Sequence, residues 1–348
     1  MNFSKIIINW YSAHKRDLPW RKTQNPYHIW LSEIILQQTQ VKQGLPYYLK
    51  FVEVFPTVFD LADSDEQKVL KLWQGLGYYS RARNLHFTAK YIAEELNGNF
   101  PNTYKDIVKL KGVGDYTASA IASFAFSEVT AVVDGNVYRV LSRYFGIDTP
   151  INSTQGIKGF KALATELIDK KQPAKFNQAI MEFGAQQCKP KNPYCIICPL
   201  QEKCVAFQTN KIENLPVKLK KTKVRNRFFN YLVFLDANHK TLVEKRTKKG
   251  IWQNLYQFPL IESEKSLSID EFETFSKSSE ILNGKTFDFN LYNEADIIHK
   301  LSHQHLHTKF WIIQLEGELE NAVSYSELKE FPVPALIGEF ISKFKFKN

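Results

Sequence analysis

The sequence predicts two unlike parts, a helical region up to about residue 210 and a smaller mixed α/β domain from residue 228 onward. Three observations carry this. Apolar residues recur at helical spacing through the first part, whereas extended apolar runs separated by turn residues begin at residue 228. The charge divides in the same place. Residues 1–210 hold 25 basic and 18 acidic side chains (+7), 211–227 hold seven and one (+6), and 228–348 hold 14 and 17 (−3). All four cysteines fall between 188 and 204, just ahead of the change. The 348 residues suit two domains, and 44% hydrophobic with 14% aromatic content supplies sizeable cores and excludes wholesale disorder. No apolar run approaches the roughly 18 residues of a membrane-spanning helix. The stretch Ile6-Ile-Ile-Asn-Trp10 is too short and too soon interrupted for a signal peptide. The expectation is a soluble cytoplasmic protein with no membrane partner, and a net +10 that suits a polyanion.

Taken in order, Tyr27 to Val41 is apolar at helical spacing and starts just after Pro26, so one helix is expected over 27–41. Residues 65–73 repeat the pattern, and 82–96 do so up to the stop signal Asn97-Gly98. Further helices are expected at 103–110, 115–125, 136–145, 155–169 and 176–186, and a short strand near Val129–Val133. The segment 211–227, with Pro216 and no clear period, reads as a basic interdomain linker lying on or near a polyanion. Beyond it, 228–235 and 241–246 look like strands flanking the turn 236–240, and 303–315 like another strand. Ser268 with Glu271 and Ser324 with Glu327 have capping-box spacing, and a last helix is expected over 334–344.

The cysteines follow the pattern Cys188-x6-Cys195-x2-Cys198-x5-Cys204. In a reducing compartment four clustered thiols point to a metal centre, not to disulfides. Tetrahedral zinc and a [4Fe–4S] cluster both accept four thiolates, and the spacing alone leaves the two open. Lys189, Lys191 and Lys203 stud the same loop, where they suit a phosphate backbone or simply offset thiolate charge.

Leu110-Lys-Gly-Val-Gly114 joins two expected helices. Glycines two apart allow a tight turn, and outward amides of Gly112, Val113 and Gly114 would form a phosphate site at a helix start. Glu33 interrupts an apolar stretch and shares a helical face with Trp30, Gln37 and Gln40. Alone it reads as a helix charge; beside Trp and amides it is also a candidate acid with a raised pKa. Asp134 sits where an N-cap is expected. Two carboxylates from separate helices are also the equipment for cleaving a glycosidic bond, one as acid and one facing the developing oxocarbenium ion.

Several motifs bear on the family. They are Leu18-Pro-Trp-Arg21, Trp30-Leu-Ser-Glu-Ile-Ile-Leu-Gln-Gln-Thr-Gln-Val41, Gly75-Leu-Gly-Tyr-Tyr-Ser-Arg-Ala-Arg-Asn84, Lys111-Gly-Val-Gly114, Val133-Asp-Gly-Asn-Val137 and Phe176-Asn-Gln-Ala179. With the cysteine spacing and Lys249 to Pro259, the chain resembles the MutY-type adenine DNA glycosylases of the endonuclease III, or helix–hairpin–helix, superfamily. The resemblance implies an α-helical helix–hairpin–helix glycosylase region with an iron–sulfur cluster loop, plus a C-terminal α+β Nudix-like domain. It sets residues 1–210 as the glycosylase region, with the hairpin at 103–125 and the [4Fe–4S] loop at 188–204. Residues 211–227 become the linker and 228–348 the lesion-recognition domain. The implied cofactor is a [4Fe–4S] cluster on Cys188, Cys195, Cys198 and Cys204. The implied partner is double-stranded DNA carrying A·8-oxoguanine or A·G mispairs, bound by a monomer.

In that reading Glu33 protonates N7 of adenine and Asp134 stabilises the oxocarbenium ion, with Tyr116 and Asn136 organising the two. Leu18, Trp20, Arg21 and Gln178 line the pocket for the flipped base. Gln38 and Tyr78 fill or wedge the stack, and Gly112, Val113 and Gly114 hold the backbone. Ser302 and His303 contact the 8-oxoguanine side. Bifunctional relatives place a lysine two residues after the hairpin's second glycine, where this chain has Tyr116; a phenol forms no imine, so a monofunctional glycosylase is expected. The lesion-reading loop, typically Phe-Ser-His in the family, is Leu301-Ser-His303 here. The Gly-x5-Glu-x7-Arg-Glu-x2-Glu-Glu pattern of catalytic Nudix enzymes is absent. The rival readings are a superfamily glycosylase or abasic lyase acting on pyrimidine damage, and a non-catalytic DNA-binding iron–sulfur protein. Tyr116 and the second domain speak against the first, and the presence of both Glu33 and Asp134 against the second.

Overall fold

A computed structural model describes residues 3–219, 224–277, 282, 286–344 and 346. The chain divides into two units, Met1–Asp63 with Asn84–Lys220, and Ser64–Arg83 with Lys221–Asn348. Its helices run in the order α1 (Phe3–His14), α2 (Pro26–Leu36), α3 (Val41–Val54), α4 (Val58–Asp63), α5 (Glu66–Leu72), α6 (Ser80–Glu94) and α7 (Tyr104–Ile107). Then come α8 (Asp115–Phe126), α9 (Gly135–Phe145), α10 (Thr154–Leu167), α11 (Pro173–Gln186) and α12 (Val205–Gln208). Among the described residues no helix is long and apolar enough to cross a membrane.

In the first unit α1 docks on α11. Ile7, Trp10 and Tyr11 meet Phe176, Ile180 and Phe183, and Val137 and Leu141 of α9 join the same core. Helix α2 is apolar almost all round, and Ile29, Trp30, Leu31, Ile34 and Ile35 are all buried. Such a helix lies in the interior, not on a surface. Asn25 starts it by accepting the Tyr27 N–H, with Pro26 at its first position.

The helix expected over 27–41 is in fact two helices. α2 stops at Leu36, Gln38 takes a left-handed backbone (φ 55°), and α3 begins at Val41. The run Gln37-Gln-Thr-Gln40 has no apolar group to bury, so nothing holds it helical. Gln37 and Gln40 therefore do not share a helix face with Glu33. The hairpin's first helix is also shorter than expected, a single turn capped by Thr103. The strand expected near 129–133 does not form; Val132 N–H donates to the Asn177 side chain instead.

The second unit carries a five-stranded sheet from β1 (Arg225–Leu235), β4 (Leu260–Ser263), β5 (Phe287–Leu291), β6 (Ile297–Lys300) and β7 (Gln304–Leu315). A separate two-stranded ribbon pairs β2 (Glu244–Lys245) with β3 (Tyr256–Gln257). β1 and β7 run parallel, from Arg225 opposite Gln304 to Leu235 opposite Gln314, and β4, β5 and β6 pair antiparallel at the flanks. Helices α13 (Ile269–Lys277), α14 (Tyr325–Leu328) and α15 (Ala335–Lys343) complete the unit. Both faces of the central pair are covered, as a parallel pair requires. On one face Phe272 stacks on Trp311 at 3.8 Å between ring centres, and on the other Phe340 stacks on Phe310 at 4.1 Å. β1 starts three residues before 228, so its first residues belong to the basic segment; residues 220–223 of that segment lie outside the described ones.

Candidate active site

Four helices bring the expected site residues of the first unit together. Glu33 lies on the third turn of the buried helix α2 and is itself only 7% exposed. Tyr116 is in the first turn of α8, which Gly114 opens. Asp134 is the N-cap of α9, as expected, and Gln178 lies on α11. With Leu18, Trp20, Arg21 and Asn136 they line one cavity of about 170 Å³. That is well below the roughly 300–1,000 Å³ of a pocket for a drug-sized ligand and suits one flat heterocycle.

The two carboxyl groups differ in what surrounds them. Burial pushes Glu33 up to about 7, Asp134 adds to the rise, and a hydrogen bond from Tyr116 and the charge of Arg21 oppose it. Glu33 is thus a carboxylic acid with a proton to give near neutrality. Burial also raises Asp134, but its Oδ1 accepts from the N–H groups of Asn136 (2.9 Å) and Val137 (2.8 Å), and its Oδ2 from Asn136 Nδ2 (2.7 Å). Three donors at a positive helix end favour the carboxylate. Burial and the two neighbouring carboxyl groups push the Tyr116 phenol far above its ordinary range, so it stays neutral as a donor.

A third carboxylate, Glu182, has the opposite fate. Its side chain is fully buried, and burial would raise it. Arg16 grips it through Nε (2.7 Å) and Nη2 (2.6 Å) and Arg21 through Nη2 (2.7 Å), which bring it down to about 2. Glu182 therefore offers no proton and holds two arginines at the cavity.

α9 and α11 meet at Gly184, where an added Cβ would stand 2.7 Å from Asn136 Cβ and 2.8 Å from its carbonyl oxygen. Arg139 spans the same junction, donating to Asn136 Oδ1 (2.7 Å), Gly184 O (2.6 Å) and Cys188 O (2.7 Å). One turn later Arg143 donates to Lys189 O (2.8 Å), Pro190 O (3.1 Å) and Cys188 Sγ (3.4 Å). The four cysteines are half-buried, free thiols. Burial raises Cys195, Cys198 (to about 11) and Cys204, and each of these also feels Cys188. Among the described residues, no three His, Cys, Asp or Glu groups are close enough to hold one metal ion.

The hairpin is partly as expected. Gly112 has φ 81°, and a Cβ there would meet Asn84 at 2.6 Å, so glycine is required. Around Gly114 nothing lies within 4 Å of a Cβ, leaving its outer side open to a close partner. Val113 departs from the expectation. It is buried, and its N–H closes the turn onto Leu110 C=O (3.1 Å), so only the Gly112 and Gly114 amides remain for a phosphate. Gln38 is exposed on its left-handed turn, away from the cavity lining. In the second unit Ser302 and His303 are exposed in the β6–β7 turn, and Ser302 Oγ hydrogen-bonds to Tyr78 Oη. Tyr78 also has a left-handed backbone (φ 46°).

Residues 31–161 match the family described as HhH-GPD superfamily base excision DNA repair protein, and residues 230–343 match the NUDIX domain family. An adenine DNA glycosylase of Buchnera aphidicola subsp. Baizongia pistaciae is 39% identical over 323 residues, spanning 89% of this chain and 86% of that protein. The chain belongs to the adenine DNA glycosylase family. The human adenine DNA glycosylase is 44% identical over 222 residues, or 61% of this chain and 41% of its own length. Of solved structures, a thermostable thymine-DNA glycosylase superposes with a TM-score of 0.55 at 30% identity, covering 60% of this chain and 95% of that one. A non-covalent endonuclease III–DNA complex shares the fold, with a TM-score of 0.52 at 22% identity, over 60% of this chain and 94% of that one.

In this adenine DNA glycosylase family member several site residues escaped sequence reasoning. Arg16, Glu182, Arg139 and Arg143 act through partners distant in the chain or through backbone carbonyls. The one local signal was Glu182, four residues after Gln178 and thus on the same face of α11.

Proposed function

We propose that the protein excises adenine mispaired with 8-oxoguanine or guanine in double-stranded DNA. The observation that carries this reading is the small cavity in which an acid poised at about pH 7 and a capped carboxylate converge. The base must leave the stack to enter it, because its N7 and its glycosidic bond cannot both be engaged inside the stacked duplex. Protonated Glu33 donates to N7 of adenine, and the C1′–N9 bond breaks with its electron pair going to the base. The Asp134 carboxylate faces the oxocarbenium ion that remains, and water completes the hydrolysis. Asn136 fixes the second oxygen of Asp134, and Tyr116 orients Glu33. With Tyr116 in place of an amine the reaction stops at the abasic site.

The division into a glycosylase region (1–210), a basic linker (211–227) and a lesion-recognition domain (228–348) belongs to the same reading, as do a monomeric state and action in the cytoplasm. The +7 and +6 of the first two segments suit phosphate contacts, aided by the open amides at Gly112 and Gly114. The −3 of the last domain leaves it to local contacts, for which Ser302 and His303 are exposed, and Ser302 hydrogen-bonds to Tyr78.

The four free thiols of the cysteine loop suit the [4Fe–4S] cluster that the family resemblance implies. They share one electrostatic neighbourhood, and Arg143 supplies an N–H to Cys188 Sγ, as cluster sulfurs receive. Cys188, Cys195, Cys198 and Cys204 would hold it, and bound it supplies four iron–thiolate cross-links to the loop. The isolated protein should show a broad visible absorbance with about four irons per chain. Replacing Cys198 with Ala should bleach it; a colourless protein carrying one zinc overturns the assignment.

Activity is tested on duplexes carrying A·8-oxoguanine, A·T or an oxidised pyrimidine, developed with and without alkali. Strand cleavage should occur at the adenine of the first duplex alone and require alkali. Alkali-independent cleavage at the oxidised pyrimidine would sink the reading.

A further inference from the structure

The hairpin (103–125) carries two acidic residues, Asp106 and Asp115, where a phosphate is to be held. Asp106 is paired within its own turn, with Lys109 Nζ at 2.7 Å. Asp115 stands closer to the open amides. It follows Gly114 directly, and with consecutive Cα atoms about 3.8 Å apart its carboxylate lies within about 10 Å of any anion held by the Gly114 amide. That is roughly one Debye length at 0.1 M salt, too near for screening to hide the charge. The side chain is 57% exposed, and alone it would repel a phosphate. We propose that Lys161 is a positioning residue for DNA binding: together with Tyr104 it ties down and neutralises the Asp115 carboxylate beside the hairpin's open amides.

Lys161 comes from α10, 46 residues further along the chain. Its ammonium donates to Asp115 Oδ2 (3.1 Å), Ser119 Oγ (2.8 Å) and Ala131 O (2.7 Å). An ammonium has three hydrogens, and these bonds occupy them all. Lys161 is therefore not a spare cation reaching for phosphate; its charge is turned toward Asp115. The other carboxylate oxygen, Oδ1, accepts from Tyr104 Oη at 2.7 Å, and the same ammonium stands 5.6 Å from the centre of the Tyr104 ring. The bond to Asp115 raises the Tyr104 phenol, so it stays protonated as a donor.

An acid in the first turn of α8 also favours the helix through its dipole. Pairing with Lys161 keeps that benefit and removes the repulsion of DNA. The role rests on the reading of the Gly112 and Gly114 amides as a phosphate site.

The test measures dissociation constants of the full chain for an undamaged duplex at about 0.05 M and about 0.5 M salt, where screening differs severalfold in range. Single-turnover excision at saturating protein, on a duplex with A·8-oxoguanine, is measured beside them. Lys161→Met keeps an unbranched stem and removes the charge. It should weaken binding about tenfold at the lower salt, as one bared charge at this distance does between water-like and protein-like screening, and far less at the higher. Adding Asp115→Asn should restore the affinity, and the saturated excision rate should stay at the wild-type value throughout. Asp115→Asn alone should bind at least as tightly as wild type. Unweakened binding in Lys161→Met, an equal loss at both salts, a loss that Asp115→Asn does not restore, or a fall in the saturated rate overturns the role of Lys161. So does weaker binding by Asp115→Asn alone, which needs no change at Lys161. A wild type whose affinity does not fall with salt overturns the phosphate reading itself.

Discussion

Glu33→Gln should abolish excision and at the same time make the protein more stable above pH 7. Loss of a general acid costs about 10²–10⁴ in rate. Wild-type excision should fall as pH rises through about 7, where Glu33 gives up its proton. Stability follows from the same shift. In the unfolded chain this carboxyl titrates near 4.5, and in the folded one near 7. Below 4.5 both states hold the proton and the variant has no advantage. Between 4.5 and 7 the unfolded chain releases it first, so the wild type loses stability with rising pH until the loss levels off above 7. Its size is on the order of 3 kcal/mol, which an uncharged amide avoids. Thermal melts at pH 4 and pH 8 read this directly. A variant that melts no higher than wild type at pH 8 contradicts the buried acid, and surviving excision contradicts the choice of Glu33.

Asp134 separates chemistry from folding in a different way, because it is both carboxylate and N-cap. Asparagine caps a helix as well as aspartate, whereas alanine forfeits about 0.5–2 kcal/mol. Asp134→Asn should therefore keep the two backbone cap bonds, lose only the one from Asn136 Nδ2 and so melt above Asp134→Ala, bind mispaired DNA and lose excision by about 10²–10³-fold, as expected when charge facing a cation is removed. Asp134→Ala should lose the same activity and melt several degrees lower. If the asparagine variant retains substantial excision, the carboxylate is only a cap.

These two residues were readable in the sequence because each leaves a local mark: a charge inside an apolar helix, and an aspartate just ahead of one. Both capping boxes were readable for the same reason. Ser268 and Glu271 exchange hydrogen bonds, as do Ser324 and Glu327. What the sequence hid is made by distance along the chain. Arg16 and Glu182 are 166 residues apart, and the early start of β1 depends on a parallel partner, β7, whose residues lie some 80 positions later. The end of α2 at Leu36 was hidden for another reason. Glutamine is a good helix former, so only the absence of anything to bury told against extending it.

The glycine at the α9–α11 junction has a consequence for how such a chain can drift. Any side chain at position 184 must push against Asn136, whose main chain and amide both hold Asp134. At Gly159, also within a helix, an added methyl meets nothing. Under selection for repair the second site is free to wander, while the first should reject even alanine, the smallest step available. Two glycines alike in sequence thus have opposite mutational freedom, set by how near each stands to the carboxylate.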